Sequence, residues 1–242
     1  MKTIFKNPEP PAFLEWKEAK QQEISRKIAA GESGDAIFSI LPSSLPNQKT
    51  AVPATEPTFI KPDLRHALLE EQGYICCYCC RALENNHRSI IEHFEPKGLQ
   101  AYRAKVFEYE NLLACCDGGE RDTNKPRETY CSLSKGNGDP HLPPAIISPM
   151  HIGCESHFEF DEQGKIRPAN EANSHAVRTI DLLGLNAKSL VLQREKAINT
   201  YIFEIWSEEM DSLLEMQQLG QKINGKYQPF CPAIISVLKN YP

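Results

Sequence analysis

The stretch that decides the fold is Cys76-Cys77-Tyr78-Cys79-Cys80, which places four thiols within one turn of chain. It contains two overlapping C-x-x-C frames, Cys76/Cys79 and Cys77/Cys80. Two sulfurs separated by two residues can reach one ion from a single tight turn, as structural zinc sites require. Seven of the chain's nine cysteines lie between residues 76 and 131, the later ones being Cys115, Cys116 and Cys131. We therefore expect a zinc knuckle.

The ligand set that best closes such a site is Cys76, Cys79, Cys116 and Cys131, with the Cys77/Cys80 frame as the alternative turn. Residues 117–130 form an insertion where a compact knuckle has two residues. Reduced cysteines also occur as small buried hydrophobic residues, but their crowding into one stretch favours metal binding.

Composition limits the remaining possibilities. The chain has 242 residues, 40% of them hydrophobic and 24% charged, as in ordinary globular proteins. It lacks the run of about eighteen apolar residues that a membrane helix needs, and residues 1–8 lack the apolar stretch of a secretory signal, so we expect a cytoplasmic protein with no membrane association. The formal charge of −5 gives no global positive field, so a nucleic acid must be held locally or by another subunit.

Hydrophobic spacing and turn residues predict an α+β fold in three parts. Residues 1–61 hold a helix and a Pro-rich linker or docking segment whose one apolar patch is 37–41. Residues 62–140 form the core, and residues 141–242 form a hairpin and helices packed on it. The predicted helices are 10–31, 62–73, 128–135, 172–183, a long one over 188–214 and 232–239; the predicted strands are 89–94, 111–116, 157–160 and 165–167.

The pair Glu92-His93 follows the cysteine turn and offers catalytic chemistry. A histidine can take a proton from water, and an adjacent carboxylate can hold a divalent cation that neutralises charge on a phosphate. Neighbouring strand residues point to opposite faces, so the pair serves one site only if the backbone bends, which Pro96 favours. On its own, the pair would be read as a surface strand edge.

The ordered arrangement of the cysteine turn, Glu92-His93, Asn111 before an apolar strand, and Cys131 four residues before Lys135 resembles the HNH nucleases with their ββα-metal fold. The resemblance implies that His93 is the general base, that Glu92 binds the catalytic Mg²⁺ or Mn²⁺, and that Asn111 holds the histidine ring. It also implies that the zinc is structural.

The likeness extends to the PtuB group, the nuclease subunit of Septu and of certain retron antiphage systems. It is carried by the segments 8–11, 71–74, 91–97, 109–113 and 179–186. It implies a PtuA-like ATPase partner, a nucleic acid substrate expected to be DNA, and, through the ATPase, a retron reverse transcriptase with its msDNA. An RNA-cleaving toxin uses the same residues and stays an alternative.

Two positions depart from the HNH pattern. The acid is Glu92 where most members have Asp, and Ser132 stands where many supply a metal-binding His or Asn. We take Asn137 as the first candidate for the missing ligand, while Ser132, Asp117 and His141 stay open. A magnesium site with a single carboxylate and several waters is chemically acceptable.

Three further sequence features bear on function. The triplet His151, Cys154 and His157 could form a second metal site, although a loop explains it as well. The segment 81–105 carries a local charge of +2, from five basic and three acidic residues, which suits phosphate contacts or a solvated face. The main alternative to a metal-dependent endonuclease is a non-catalytic zinc-knuckle subunit that binds nucleic acid or a partner.

Overall fold

The computed structural model describes residues 1–44, 57–119, 128–207 and 210–241, and these residues form α-helices and short β-strands. The α-helices are α1 (Pro11–Ala29), α2 (Gly34–Phe38), α3 (Lys61–Glu71), α4 (Cys131–Lys135), α5 (Ser174–Leu182), α6 (Lys188–Thr200), α7 (Ser212–Leu219) and α8 (Cys231–Leu238). The strands are β1 (Ser89–His93), β2 (Leu112–Cys116), β3 (Phe158–Phe160) and β4 (Ile166–Pro168). The predicted mixture of helices and small sheets is thus present.

The helix α3 delivers the chain to the cysteine turn. Pro62 lies in its first turn, where a missing N–H is tolerated, and the Asp63 carboxylate accepts the backbone N–H of Ile60 at 3.2 Å. Its apolar face, Leu64, Leu68 and Leu69, is fully buried. The helix stops before Gly73, whose φ of +63° is a left-handed conformation that glycine adopts without steric cost.

Each sheet is a pair of antiparallel strands. In the first, β1 pairs with β2 so that Glu92 lies opposite Leu113 and His93 opposite Leu112. In the second, β3 pairs with β4 as the predicted hairpin. The first sheet is followed by α4, so strand, strand and helix succeed one another around the cysteines.

One buried apolar cluster draws on all three predicted segments of the chain. The N-terminal segment contributes Phe13 and Trp16 of α1, whose rings stack at 5.9 Å. The Trp16 ring meets the Phe107 ring edge-on at 5.2 Å, and the Phe13 ring lies 5.3 Å from that of Phe59. The opening helix is therefore packed onto the part of the chain that carries β1 and β2.

The prediction that residues 37–41 form a docking patch in a linker is wrong. Residues 34–38 form α2, and Ile37 and Leu41 are fully buried in the core. The Ser33 hydroxyl caps α2 by accepting the N–H of Ala36 at 3.2 Å, and this bond stabilises the first turn of the helix. Within the predicted linker, residues 45–56 lie outside the described residues.

The prediction of one long helix over 188–214 is also wrong. The helix α6 passes into a π-helical turn over Tyr201–Ile205, and this turn ends at Trp206, whose backbone is extended. A separate helix, α7, then starts because the Asp211 side chain accepts the N–H groups of Leu213 and Leu214. The predicted single apolar face is divided accordingly: Ile198, Tyr201 and Ile202 are buried, while Ile205, Leu213 and Leu214 are exposed.

The predicted helix over 128–135 is shorter than expected, since α4 begins at Cys131. Much of the insertion before it, residues 120–127, lies outside the described residues. Among the described helices, none combines the length and the apolar character that crossing a membrane demands.

Candidate functional site

The four cysteines predicted as zinc ligands lie together. The sulfurs of Cys76, Cys79, Cys116 and Cys131 are all within 4.8 Å of one another, and all four residues are buried. Cys76 Sγ lies 3.7 Å from Cys116 Sγ and 3.9 Å from Cys131 Sγ, while Cys79 Sγ lies 3.9 Å from Cys116 Sγ. A tetrahedral zinc with 2.3 Å Zn–S bonds separates its sulfurs by about 3.8 Å, so this donor set fits a zinc ion.

Three elements bring these thiols to one point. The first element is the cysteine turn, which is closed where the Cys76 N–H donates to the Arg81 carbonyl at 2.9 Å. The second is β2, which ends at Cys116, and the third is α4, which begins at Cys131. Cys131 has a φ of +54°, a strained conformation for a residue with a side chain, and its N–H donates to the Leu183 carbonyl at 2.7 Å. Strain held in place by its surroundings is typical of a ligand site.

The sulfurs of the alternative frame, Cys77 and Cys80, do not lie in one group. Cys77 joins Cys76 and Cys115 in a second group of three sulfurs within 4.8 Å, and Cys80 takes part in neither group. Burial raises the pKa of the Cys80 thiol to about 11, which keeps it protonated at neutral pH. Four thiolates give the closed site that structural zinc prefers, so the group with Cys79 and Cys131 is the better metal centre.

The Cys76 sulfur lies within hydrogen-bond distance of three other sulfurs of the cluster. Burial raises the pKa of its thiol, but the hydrogen bonds from the neighbouring thiols of Cys115, Cys116 and Cys131 outweigh burial and hold that pKa well below its ordinary value. Cys76 is therefore the thiol in the cluster that ionises most readily, and only a thiolate binds zinc.

The predictions from sequence gave Gln72 no role, yet its side chain ties the cysteine turn to β2. Its amide nitrogen donates to the carbonyls of Ile75, at 3.0 Å, and Ala114, at 2.8 Å, and its oxygen accepts the Ala114 N–H at 2.7 Å. Gln72 is buried, so these bonds are not shared with water. The sequence offered one signal for this role, a polar residue directly before Gly73, the glycine that follows α3.

Glu92 and His93 line one cleft of about 350 Å³. The cleft lies between the end of β1 and the start of α4, and Glu92 is the only carboxylate among its described lining residues. Ser132, Lys135 and Asn137 from the α4 side and Lys97 from the segment after β1 complete its polar lining. The two residues that the sequence singled out therefore do open onto one space.

Their side chains nevertheless have different neighbours, as the alternation of a strand requires. The Glu92 carboxylate accepts the Tyr78 hydroxyl at 3.1 Å, the Lys135 ammonium at 2.6 Å and the Ser132 hydroxyl. Every described donor to this carboxylate belongs to the cysteine turn or to α4. The acid is thus anchored to the candidate zinc unit.

His93 faces α2 and the chain between the two strands. Its Nε2 atom lies 3.1 Å from the Val106 carbonyl, and its ring meets the Phe38 ring edge-on at 4.8 Å. Because a carbonyl only accepts, Nε2 carries the hydrogen of the neutral ring, which leaves Nδ1 as the basic atom. Burial, together with the positive charge of Lys97, lowers the pKa of His93 to about 3, so the ring is neutral at physiological pH.

The described hydrogen bonds of the Asn111 side chain do not include the histidine ring, which the resemblance implied it would hold. Its side-chain oxygen accepts the Glu95 N–H at 2.7 Å, and its nitrogen donates to the carbonyls of Glu95, at 3.1 Å, and Lys105, at 3.2 Å. The Val106 carbonyl is what holds the ring. Asn111 instead fixes the bend of the chain after β1.

The four candidates for the missing metal ligand divide into two pairs. Ser132 and Asn137 line the cleft with Glu92. His141 lies beside Glu95, with its Nε2 atom 2.8 Å from the carboxylate, and Asp117 lies 3.8 Å from Arg88; neither lines the cleft. Besides Glu92, the side-chain oxygens in the cleft that could bind a metal ion are therefore the Ser132 hydroxyl and the Asn137 amide.

The triplet His151, Cys154 and His157 forms no comparable group within the described residues.

The basic residues of the predicted phosphate-holding patch are largely engaged in other contacts. Lys97 pairs with Asp35 at 3.3 Å and Lys105 with Glu95 at 2.6 Å. The other basic residues of the patch also have partners: Arg81 donates to the Tyr130 hydroxyl, Arg88 pairs with Asp117, and Arg103 donates to the Gly31 carbonyl.

Two antiparallel strands and a helix around four thiols, with a Glu-His cleft beside them, define a mixed α/β protein with a candidate zinc centre. No family model matches the chain. "Retron Vc95 putative HNH endonuclease" of Vibrio cholerae serotype O1 biovar El Tor is 32% identical over 149 residues, covering 60% of this chain and 67% of that protein. The chain belongs to the HNH endonuclease family that this relative represents.

A second relative, "Retron Ec83 putative HNH endonuclease" of Escherichia coli, is 28% identical over 165 residues. That match covers 56% of this chain and 64% of the relative, so the chain spans somewhat less than two thirds of this protein.

Proposed function

We propose that the chain is a metal-dependent HNH endonuclease that hydrolyses phosphodiester bonds in nucleic acid, with DNA as the substrate. One observation carries the proposal: Glu92 and His93 open onto one cleft whose far side is the start of α4, at the edge of the four-cysteine cluster. This hydrolysis needs a general base and a carboxylate that can hold a catalytic divalent ion.

His93 is the proposed general base. The Val106 carbonyl fixes the hydrogen on Nε2, so Nδ1 has a free lone pair for a proton from the attacking water. The packing of Phe38 on the ring keeps the base in one orientation. Orientation of the reacting groups is itself a large part of catalysis.

Glu92, Ser132 and Asn137 are the proposed holders of the Mg²⁺ or Mn²⁺ ion. They offer the cleft a carboxylate, a hydroxyl and an amide, which are the oxygen donors that such hard ions take, with water completing the shell. When bound, the ion supplies charge stabilisation for the phosphate in the transition state. The four cysteines hold a separate zinc ion that fixes the scaffold.

We further propose that the protein is the effector of an antiphage system of the retron or PtuB/Septu type. Both relatives are named as endonucleases of retrons. The net charge of −5 and the pairing of the basic residues near the cleft support the need for a partner that delivers the substrate. A PtuA-like ATPase is the proposed partner, through which a reverse transcriptase and its msDNA would act.

Cleavage of plasmid DNA tests the nuclease assignment. The purified chain is incubated with Mg²⁺ or Mn²⁺, alone and with a PtuA-like ATPase as the proposed partner, and compared with His93→Ala and with His141→Ala as the matched control outside the cleft. We expect His93→Ala to lose about 10²–10⁴-fold in rate. Equal rates for the wild type and a folded His93→Ala protein would refute the mechanism.

A second candidate function, a non-catalytic zinc-knuckle subunit, is favoured by the ion pair that already occupies Glu92. It predicts that the chain binds the ATPase but cuts neither DNA nor RNA under any metal condition. Including an RNA substrate in the same assay separates the nuclease from this alternative and from the RNA-cleaving toxin.

A further inference from the structure

The cleft contains an ammonium group that the resemblance leaves without a role. Lys135 Nζ donates to Glu92 Oε1 at 2.6 Å and to the backbone carbonyl of His93 at 2.8 Å. One side chain therefore holds both members of the Glu-His pair, which strand geometry points to opposite sides. Lys135 can do this because it stands one helical turn after Cys131, on the helix that the cysteine cluster anchors.

This pair is deeply buried: the Lys135 side chain is 1% exposed and the Glu92 side chain 6%. Removing two charges from water is unfavourable unless each stays close to the other and is fully hydrogen-bonded. The Tyr78 and Ser132 hydroxyls meet that condition for the carboxylate. Both described hydrogen bonds of the ammonium go to Glu92 and to the His93 carbonyl, so it acts through Glu92.

We propose that Lys135 is a positioning residue that holds Glu92 and serves as its resident counter-charge, so that the pair sets the affinity of the cleft for a divalent cation. The inference rests on the proposed function, in which Glu92 binds that cation. The carboxylate is already neutralised by Lys135, so a cation binding there meets an adjacent positive charge and must share the carboxylate with it. The chain thereby demands a higher concentration of free metal than a lone carboxylate would.

The direction of the expected effect distinguishes this role from a merely structural one. Loss of a structural contact weakens whatever the site binds. Loss of the Lys135 charge removes repulsion between like charges a few ångströms apart and therefore tightens cation binding, by on the order of tenfold or more.

The test measures Mn²⁺ binding to zinc-loaded full-length protein from the electron paramagnetic resonance signal of free Mn²⁺. The neutral variants are Lys135→Met and Lys135→Gln, the latter because it retains a donor for the carboxylate if Met unfolds the site. Lys135→Arg keeps the charge. Lys105→Met is the matched control, since Lys105 makes a 2.6 Å ion pair with Glu95 outside the cleft. Zinc content and a cooperative melting curve establish that each protein is folded.

We expect the neutral variants to bind Mn²⁺ about tenfold or more tightly, and Lys135→Arg and Lys105→Met to stay near the wild type. Unchanged or weaker binding by a folded neutral variant overturns the inference. Glu92→Gln separates the two proposals: if it abolishes wild-type binding, the cation site stands whatever Lys135 does. If neither the wild type nor the neutral variants bind Mn²⁺, both proposals fall; binding only in the neutral variants supports the role of Lys135.

Discussion

Substituting Cys79 and Cys80 separately tests the assignment of the zinc ligands, because the two are neighbours in sequence and both are buried. The Cys79 sulfur lies in the group of four, 3.9 Å from that of Cys116, whereas Cys80 lies in neither sulfur group. The Cys80 thiol, with a pKa of about 11, stays neutral at pH 7.5. We expect Cys79→Ser to lose its zinc and Cys80→Ser to keep one zinc per chain.

The size of the effect follows from what the cluster joins. The four thiols connect the turn after α3, the end of β2 and the start of α4. A structural zinc supplies roughly 10–16 kcal/mol of apparent binding free energy in small domains, which is comparable with the about 5–15 kcal/mol stability of a whole protein. Loss of one ligand should therefore unfold this region, while Cys80→Ser should cost about 1–3 kcal/mol as an ordinary buried polar change.

Zinc per chain is measured by atomic emission after dialysis against a mild chelator, and stability by thermal melting followed with circular dichroism. Equal zinc loss in the two variants, or loss only in Cys80→Ser, would refute the reasoning and return the ligand role to the Cys77/Cys80 frame. Retention of zinc by Cys79→Ser with an unchanged melting temperature would show that Cys79 is not a required ligand.

Two further predictions concern stability. Ile37→Ala should lower the free energy of unfolding by about 2–5 kcal/mol in urea titrations, because Ile37 is fully buried, whereas exposed Ile152→Ala should have little effect. Burial opposes ionisation of Glu155, but bonds from Thr3 and Lys2 prevail and lower its pKa from 4.5 to about 2. A carboxylate with a depressed folded pKa stabilises above its unfolded pKa, so melting at pH 2–5 should show a shallower loss of stability for Glu155→Gln than for the wild type.

The parts of the structure that sequence could predict depend on local signals. The C-x-x-C spacing fixes a turn, β-branched and apolar runs give β1 and β2, and Gly73 follows the end of α3, so the unit around the cysteines was predictable in outline. The four cysteines chosen by spacing are also the ones whose sulfurs lie together. The short spacing accounts for Cys76 and Cys79 alone, since Cys116 and Cys131 lie 40 and 55 residues beyond Cys76 and are brought in by β2 and α4.

The errors arise where long-range packing decides the outcome. Proline-rich composition predicted a surface linker, but burial of Ile37 and Leu41 depends on contacts with distant parts of the chain. The three- and four-residue spacing up to Leu214 suggested one helix, although Asp211 carried a helix start signal that could have corrected it. The partner of Asn111 could not be read from spacing, since the Glu95 and Lys105 backbone comes within its reach only after the chain bends.

Exposure separates the two ammonium groups that line the cleft. Lys97 pairs with Asp35 at 3.3 Å, and the Asp35 side chain is 85% exposed, so that pair contributes less than about 1 kcal/mol and a phosphate can displace it. The Lys135–Glu92 pair is buried, and separating its charges without replacing the partner costs about 3–5 kcal/mol. In the proposed nuclease, Lys97 is therefore the ammonium that can bind a nucleic-acid phosphate beside His93, while Lys135 stays paired with Glu92. A cleft with one recruitable cation on a chain of net charge −5 gives little affinity for a polyanion by itself, because binding to a phosphate backbone grows with the number of cationic contacts. In the proposed nuclease, cutting then depends on the neutral His93 base and on the partner that brings the strand to it.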